Sequence, residues 1–279
     1  MRKYLSAYAP SLGELWLIML VMVCLGGSLV TAVATLLLSS FVQVSTSILS
    51  LALYPLLFAV AIPYILIRAK NSYKEKNAKG ILTSEDAPCS FGNLNGILFF
   101  TLLLVLTPAF SVIIEPLTIW MQMPEFLKNL FGEIGNHGWL SLLSLVVLAP
   151  LFEEWLCRGI ALNGLLKRGY SPWAAIAWSA CMFGVIHMNP WQAIPAFLMG
   201  LLFGWIYWRT GSLWATIFMH AVNNGLSVAL TWAFPLLPND ASTYDVVGAP
   251  AYYWVLAGSL LITSIILFWL HKKLPHPQK

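Results

Sequence analysis

The chain is poor in charge. Only 9% of its 279 residues are Asp, Glu, Lys or Arg, whereas soluble domains average about 25%. Hydrophobic residues make up 59% of the sequence, and apolar runs long enough to cross a bilayer recur along it. These runs exclude a soluble globular domain and predict helices, because backbone groups in hydrocarbon must be satisfied within their own segment. The net charge of +4 does not indicate nucleic-acid binding, since the cations lie at the ends of the runs.

Several hydrolase signatures are also missing. There are only three aspartates, all in predicted loops, so an aspartyl dyad inside the membrane is excluded. No His-Glu-x-x-His zinc motif and no convincing G-x-S-x-G serine motif occurs. The four cysteines, which are Cys24, Cys89, Cys157 and Cys181, show no CxxC spacing and indicate no disulfide framework. We find no internal repeat of the kind that marks the two halves of a transporter.

Hydropathy predicts an all-α, polytopic integral membrane protein with about eight transmembrane helices. The predicted spans are 14–38, 47–68, 95–115, 139–166, 172–188, 191–208, 212–233 and 251–271. We interpret residues 1–279 as a single transmembrane domain with a polar cytoplasmic loop at 69–94. The residues that suggest chemistry fall within 139–233, so spans four to seven are the predicted catalytic core.

The cations predict the orientation of the chain. If the spans alternate in direction, nearly all lysines and arginines lie on one side: Arg2, Lys3, Arg68, Lys70, Lys74, Lys76, Lys79, Lys167, Arg168, Arg209, Lys272 and Lys273. The opposite loops carry Glu125, Glu133, Asp240 and Asp245 against Lys128 alone. By the positive-inside rule, both termini are predicted to be cytoplasmic.

Span four carries three charged residues in the middle of an apolar stretch: Glu153, Glu154 and Arg158. A charge at bilayer depth costs at least about 2.5–3.5 kcal/mol, so three of them indicate a polar site within the membrane. Glu154 precedes Arg158 by four residues, which predicts an ion pair on one helix face. Glu153 points about 100° away and is left as a carboxyl group available for chemistry. The alternative is a purely structural charge cluster that joins helices.

Two further spans place polar side chains at a similar depth. His187 lies near the end of span five, and His220 and Asn224 lie on one face of span seven. Taken singly, these residues are explained by interfacial positions or by ordinary interhelical hydrogen bonds. Together with Glu153 they predict a common cavity. Glu115, at the end of span three, is predicted to be interfacial.

Two hydrolytic mechanisms fit these residues, and the sequence leaves both open. In the first, His187, His220 and a carboxylate, here Glu154, bind Zn²⁺ and leave one position for water. In the second there is no metal. Glu153, assisted by His187, takes a proton from water, and His220 and Asn224 stabilise the oxyanion. Both mechanisms predict hydrolysis of an acyl bond, with a peptide as the expected substrate.

Three short motifs follow one another in the chain: Glu153-Glu154-x-x-x-Arg158, Phe183-x-x-x-His187 and His220-x-x-x-Asn224. In this order they resemble the family of CAAX proteases and bacteriocin-processing enzymes, which includes the type II CAAX prenyl endopeptidases. The resemblance covers about residues 139–230. It implies an intramembrane endopeptidase whose partners are the lipid bilayer and a membrane-associated or lipidated peptide substrate.

The resemblance also implies roles for single residues. Glu153 would activate water with Glu154 beside it, and His187 would assist or bind metal. His220 and Asn224 would stabilise the oxyanion, and the structural supports would be Arg158 and Phe183. Members of the family have been described both as metalloproteases and as glutamate-dependent enzymes, so Zn²⁺ remains open as a cofactor.

Two other classes of function compete with a protease. In a proton-coupled transporter, Glu153, His187 and His220 would form a proton relay. In a non-catalytic membrane partner or immunity protein, the same fold would persist without cleavage. Substrate flux into liposomes that is lost in Glu153→Gln, without any peptide cleavage, would identify the transporter.

Overall fold

The computed structural model describes residues 1–81, 89–118, 120–121, 123–135, 137–234 and 241–275. Within these ranges the regular structure is helical and contains no strand, which confirms the predicted all-α class. The helices are α1 (Arg2–Ala7), α2 (Leu12–Ser39), α3 (Thr46–Ala52), α4 (Ala61–Ala78), α5 (Gly96–Ile114), α6 (Glu125–Gly135), α7 (Trp139–Lys167), α8 (Pro172–Val185), α9 (Pro190–Thr210), α10 (Leu213–Ala233), α11 (Thr243–Val247) and α12 (Ala249–Lys273).

Five helices are long and apolar enough to cross a membrane. They are α2, α5 with the turn that follows it, α7, α9 and α12. These five correspond to the first, third, fourth, sixth and eighth predicted spans. Among the described residues five candidate spans are present, and the predicted count of eight is not confirmed.

The other three predicted spans, which are the second, fifth and seventh, differ from a single long apolar helix for identifiable reasons. The second is divided into α3, a 3₁₀ turn at Tyr54–Phe58, and α4. Pro55 has no backbone N–H to continue a helix at that point. Helix α8 has 14 residues, about 21 Å, which is shorter than a hydrocarbon core of about 30 Å. Helix α10 is long enough, but its polar residues His220, Asn223 and Asn224 lower its hydropathy.

The predicted loop at 69–94 is partly helical. Helix α4 continues to Ala78 and so covers the first part of it, and residues 82–88 lie outside the described ranges. The domain boundaries remain predictions.

The helices pack around two clusters of buried apolar side chains. One cluster joins α2, α4, α7 and α8 and contains Phe183. The other joins α5, α9, α10 and α12 and contains Phe203. The two phenyl rings face each other with centroids 6.3 Å apart. The polar residues of α7, α8 and α10 meet at this boundary between the clusters.

Helices α8 and α9 form a close hairpin because small residues line their contact. A Cβ atom on Gly184 would lie 2.7 Å from the carbonyl oxygen of Ala193. One on Gly200 would lie 3.1 Å from Ala180 and 3.2 Å from Nη2 of Arg158. Larger side chains at these two positions would push the helices apart, as expected for a membrane-type interface. The hairpin therefore leaves room for Arg158 of α7 to reach the backbone of α9.

Candidate active site

The two glutamates lie near the middle of α7. Glu153 is 8% exposed, and Glu154 and Arg158 are fully buried. The helix is π-helical on either side of the pair, at Leu142–Leu148 and Trp155–Leu162. Such wider turns occur often at functional sites. The sequence prediction that these charges face the protein interior is confirmed.

Glu154 and Arg158 together join three helices. Its Oε1 accepts hydrogen bonds from Nη1 of Arg158 at 2.9 Å and from Nδ1 of His220 at 3.1 Å. Arg158 also donates from Nη2 to the carbonyl oxygen of Gly200, 3.0 Å away on α9. The predicted ion pair between Glu154 and Arg158 is confirmed. The contact with His220 was not predicted, because the sequence does not say which face of α10 turns towards α7.

Phe183 packs against three of these side chains. The guanidinium of Arg158 lies 4.5 Å from the centroid of its ring. The imidazoles of His187 and His220 both meet the ring edge to face, with centroids 5.2 Å away. One phenyl ring thus orients both histidines and shields the buried cation, through contacts that aromatic rings favour. This placement agrees with the supporting role that the resemblance implies.

Glu153 has a separate set of neighbours. Its Oε1 accepts a hydrogen bond from the hydroxyl of Tyr54, which lies in the turn between α3 and α4. Its Oε2 is buried and has no hydrogen-bond partner among the residues that the structure describes. The nearest ring nitrogen is Nε2 of His187, 4.0 Å away. Sequence reasoning missed Tyr54, and the available signal was a Tyr-Pro pair inside an apolar span.

The position of His187 is set by the turn between α8 and α9. Its Nδ1 lies 2.8 Å from the carbonyl oxygen of Phe183, so Nδ1 carries the proton and Nε2 faces Glu153. Met188 follows with φ 55°, a conformation that residues other than glycine adopt rarely and often next to functional sites. The side chain of Asn189 then donates to the carbonyl oxygen of His187 at 2.8 Å. The imidazole of His187 is therefore held through Nδ1, and its backbone carbonyl is held by Asn189.

Asn224 connects α10 to α7. Its Nδ2 donates to the carbonyl oxygen of Leu145 at 2.9 Å and keeps a second hydrogen for another acceptor. The neighbouring Asn223 donates to Oδ1 of Asn224 at 3.3 Å. Of the two adjacent asparagines, Asn224 is thus the one fixed against the helix that bears the glutamates, in agreement with the spacing from His220.

A cavity of about 710 Å³ adjoins these residues. His187, His220 and Asn224 line one end, and Glu115 and Thr243 line the other. Glu115 was predicted to be interfacial, but its carboxylate lies in the cavity wall and accepts a hydrogen bond from the backbone N–H of Thr243. This contact depends on α11, which the hydropathy pattern did not predict.

The donor geometry does not fit the predicted metal set. Among the residues that the structure describes, no three His, Cys, Asp or Glu side chains are grouped so that they could hold a metal ion. Oε1 of Glu154 already accepts from Arg158 and His220, whereas His187 lies next to Glu153. The set of His187, His220 and Glu154 therefore stays an untested prediction, and no catalytic step is derived through zinc.

The fold and the site define a helical protein in which two imidazoles and an amide line one cavity, with the buried carboxylates of Glu153 and Glu154 beside the imidazoles. Residues 135–226 match the family model described as Rce1-like, type II CAAX prenyl endopeptidase Rce1-like. This segment encloses all three motifs and confirms, for this part of the chain, the resemblance to the CAAX protease and bacteriocin-processing family. At the level of class, the match implies an intramembrane protease and does not favour the transporter. No curated protein and no solved structure matches the chain.

Proposed function

We propose that this protein is an intramembrane endopeptidase that hydrolyses a peptide bond in a membrane-associated or lipidated peptide. The observation that carries the proposal is the free Oε2 of Glu153, which is buried and lies 4.0 Å from Nε2 of His187. That distance is too long for a direct hydrogen bond, and in the proposed mechanism one water molecule bridges the two atoms. A carboxylate and a ring nitrogen that share a water form the arrangement that general-base catalysis requires.

In the first step, the water oxygen attacks the carbonyl carbon of the substrate while Oε2 of Glu153 takes one of its protons. Nε2 of His187 accepts a hydrogen bond from the other hydrogen of the water, because Nδ1 is already engaged with the backbone. The hydroxyl of Tyr54 occupies Oε1 of Glu153 and so leaves Oε2 for the water. Tyr54 is thus a positioning residue. It lies outside the matched segment.

The second step needs donors for the oxyanion of the tetrahedral intermediate. Asn224 has a free amide hydrogen, and His220 lines the same end of the cavity. We assign the second donor to the imidazole of His220, which Glu154 holds through Nδ1. When the intermediate collapses, the C–N bond breaks and Glu153 passes its proton to the leaving amine. The products are a carboxylic acid and an amine.

Removal of metal is expected to leave the activity unchanged. This follows from the donor geometry, because Glu153 and His187 suffice to activate water and Glu154 is engaged by two donors. The purified protein would be dialysed against a chelator, its zinc content measured, and its peptidase rate compared with that of a mock-dialysed sample. A rate that falls with the zinc content and returns when zinc is added would contradict the metal-free mechanism and support the zinc-dependent one.

Comparison of wild-type and Glu153→Gln cells tests the function itself. Membrane-anchored peptides would be quantified by mass spectrometry in both strains, and substrates are expected to accumulate uncleaved in the variant. The exposed residue Glu75 provides a control, because Glu75→Gln should leave the peptide profile unchanged. Identical profiles in all strains, together with flux in liposomes that depends on Glu153, would replace the protease with the transporter.

A further inference from the structure

The basic helix ends meet on one side of the molecule. Near the N-terminus, Lys76 donates to the carbonyl oxygen of Ala7, Lys167 to that of Ser6 and Arg168 to that of Ala9, at distances of 2.8–3.0 Å. A second group contains the end of α9 and the end of α12. Arg209 donates to the carbonyl oxygen of Leu274 at 2.8 Å, and the backbone N–H of Ser90 donates to the carbonyl oxygen of Thr210 at 3.0 Å. The rings of Trp173 and Trp208, 6.3 Å apart, connect the two groups.

The cavity extends away from this basic side. Helices α5 and α10 begin there, so their last residues lie on the opposite side. On α10 the lining runs from His220 to Thr231, and on α5 it runs from Pro108 to Thr118. Helix α9 runs in the reverse direction, and its lining residues extend back from Phe203 towards its first turn. His187, His220 and Asn224 therefore lie at the inner end of a cavity whose outer end is at Glu115 and α11, and Glu153 lies next to His187.

The basic side of the cavity is sealed by packed side chains. His220 is seven residues from the start of α10, a depth of about 10 Å. The intervening layer belongs to the second apolar cluster and consists of fully buried residues, among them Phe99, Leu103, Ile206, Ala215 and Met219. A peptide has no path through such a layer, because interiors of this kind are close-packed. Access is left from the opposite side.

We infer that the catalytic cavity is reached from the extracytoplasmic side, and that the substrate is a peptide anchored or exposed on that face of the membrane. The inference joins the cavity geometry to the positive-inside rule, which places the basic side in the cytoplasm. Cytoplasmic peptides with a lipidated C-terminus are then not substrates. The direction of access stands without the proposed function, whereas the substrate class rests on it.

Cysteine labelling in intact spheroplasts tests the direction of access. Ser227 is exposed, lines the cavity and lies one turn beyond Asn224, so Ser227→Cys should place a thiol in the cavity without disturbing α10. The native Cys89 is exposed near the basic side and serves as an internal control. The reagent would be a charged, membrane-impermeant maleimide, with labelled peptides identified by mass spectrometry so that the native cysteines stay in place.

Intact spheroplasts should label Ser227→Cys and not Cys89, and permeabilised ones should label both. Labelling of Ser227→Cys only after permeabilisation, or of both thiols in intact spheroplasts, would overturn the inference. No labelling under either condition would show a closed cavity and also overturn it. Thr243→Cys, at the outer end of the cavity, repeats the test if the first variant does not fold.

A reporter peptide displayed on either face of the membrane then tests the substrate class. Cleavage of the outer reporter alone is expected, and cleavage of the inner one alone would refute the substrate class. If Ser227→Cys is labelled from outside and Glu153→Gln does not change the cleavage of either reporter, the direction of access stands and the proposed protease function fails.

Discussion

Glu153→Gln is expected to reduce peptide cleavage by about 10²–10⁴-fold while the protein still inserts and folds. The amide has the shape of the carboxylate and can still accept the hydrogen bond from Tyr54, but it takes no proton from water. The variant removes only a negative charge, and the nearest ionisable cation partner is His187 at 4.0 Å, so the packing of α7 should be retained. The measurements are kcat on a verified substrate and the melting temperature in detergent.

Substitution of Tyr54 tests whether its hydrogen bond to Glu153 contributes to the rate. Tyr54→Phe removes one hydrogen bond to a charged group, so we expect kcat to fall by about tenfold with little change in KM. Tyr64→Phe is the matched control, because the hydroxyl of Tyr64 also donates to a glutamate, Glu14, but far from the site. It should leave kcat unchanged. Full cleavage by Glu153→Gln would show that the role assigned to Glu153 is wrong, whatever the other variants do.

Arg158→Ala and Glu154→Ala are each expected to lower the free energy of unfolding by about 3–5 kcal/mol, because each leaves a buried charge without its partner. Both side chains are fully buried, and the ion pair is 2.9 Å long. Arg158→Ala also removes the contacts with Gly200 and Phe183. Chemical denaturation in detergent micelles measures the loss.

Two comparisons test whether the loss of stability comes from the burial of the ion pair or from its four-residue spacing. Glu75 and Lys79 form an ion pair with the same four-residue spacing on a helix, but both side chains are more than half exposed. Glu75→Ala should therefore cause no measurable change in stability. The double variant of Glu154 and Arg158 should lose less than the sum of the single losses, because it leaves neither charge alone. Additive losses, or a stable Arg158→Ala, would contradict the account of a coupled buried pair.

The ion pair and the long helices were predictable because they depend on local spacing. Residues four apart share a helix face wherever the helix lies, so Glu154 and Arg158 were paired correctly. Runs of apolar residues become helices in lipid whatever their neighbours, so the five long helices of highest hydropathy were found. The broken second span was not predicted, because a hydropathy average does not register the effect of Pro55 on the local hydrogen bonds.

The sequence by itself determined that this is a helical protein with segments apolar enough to cross a membrane, that Glu153 and Glu154 point in different directions from one helix, and that three motifs resemble one family. Only the tertiary structure decided which helices meet: it placed His220 on Glu154, His187 beside Glu153, and Tyr54 and Glu115 at the site from outside the motifs. The physical reason is that periodicity along one helix defines a face, whereas the partner of that face depends on how all the helices pack together.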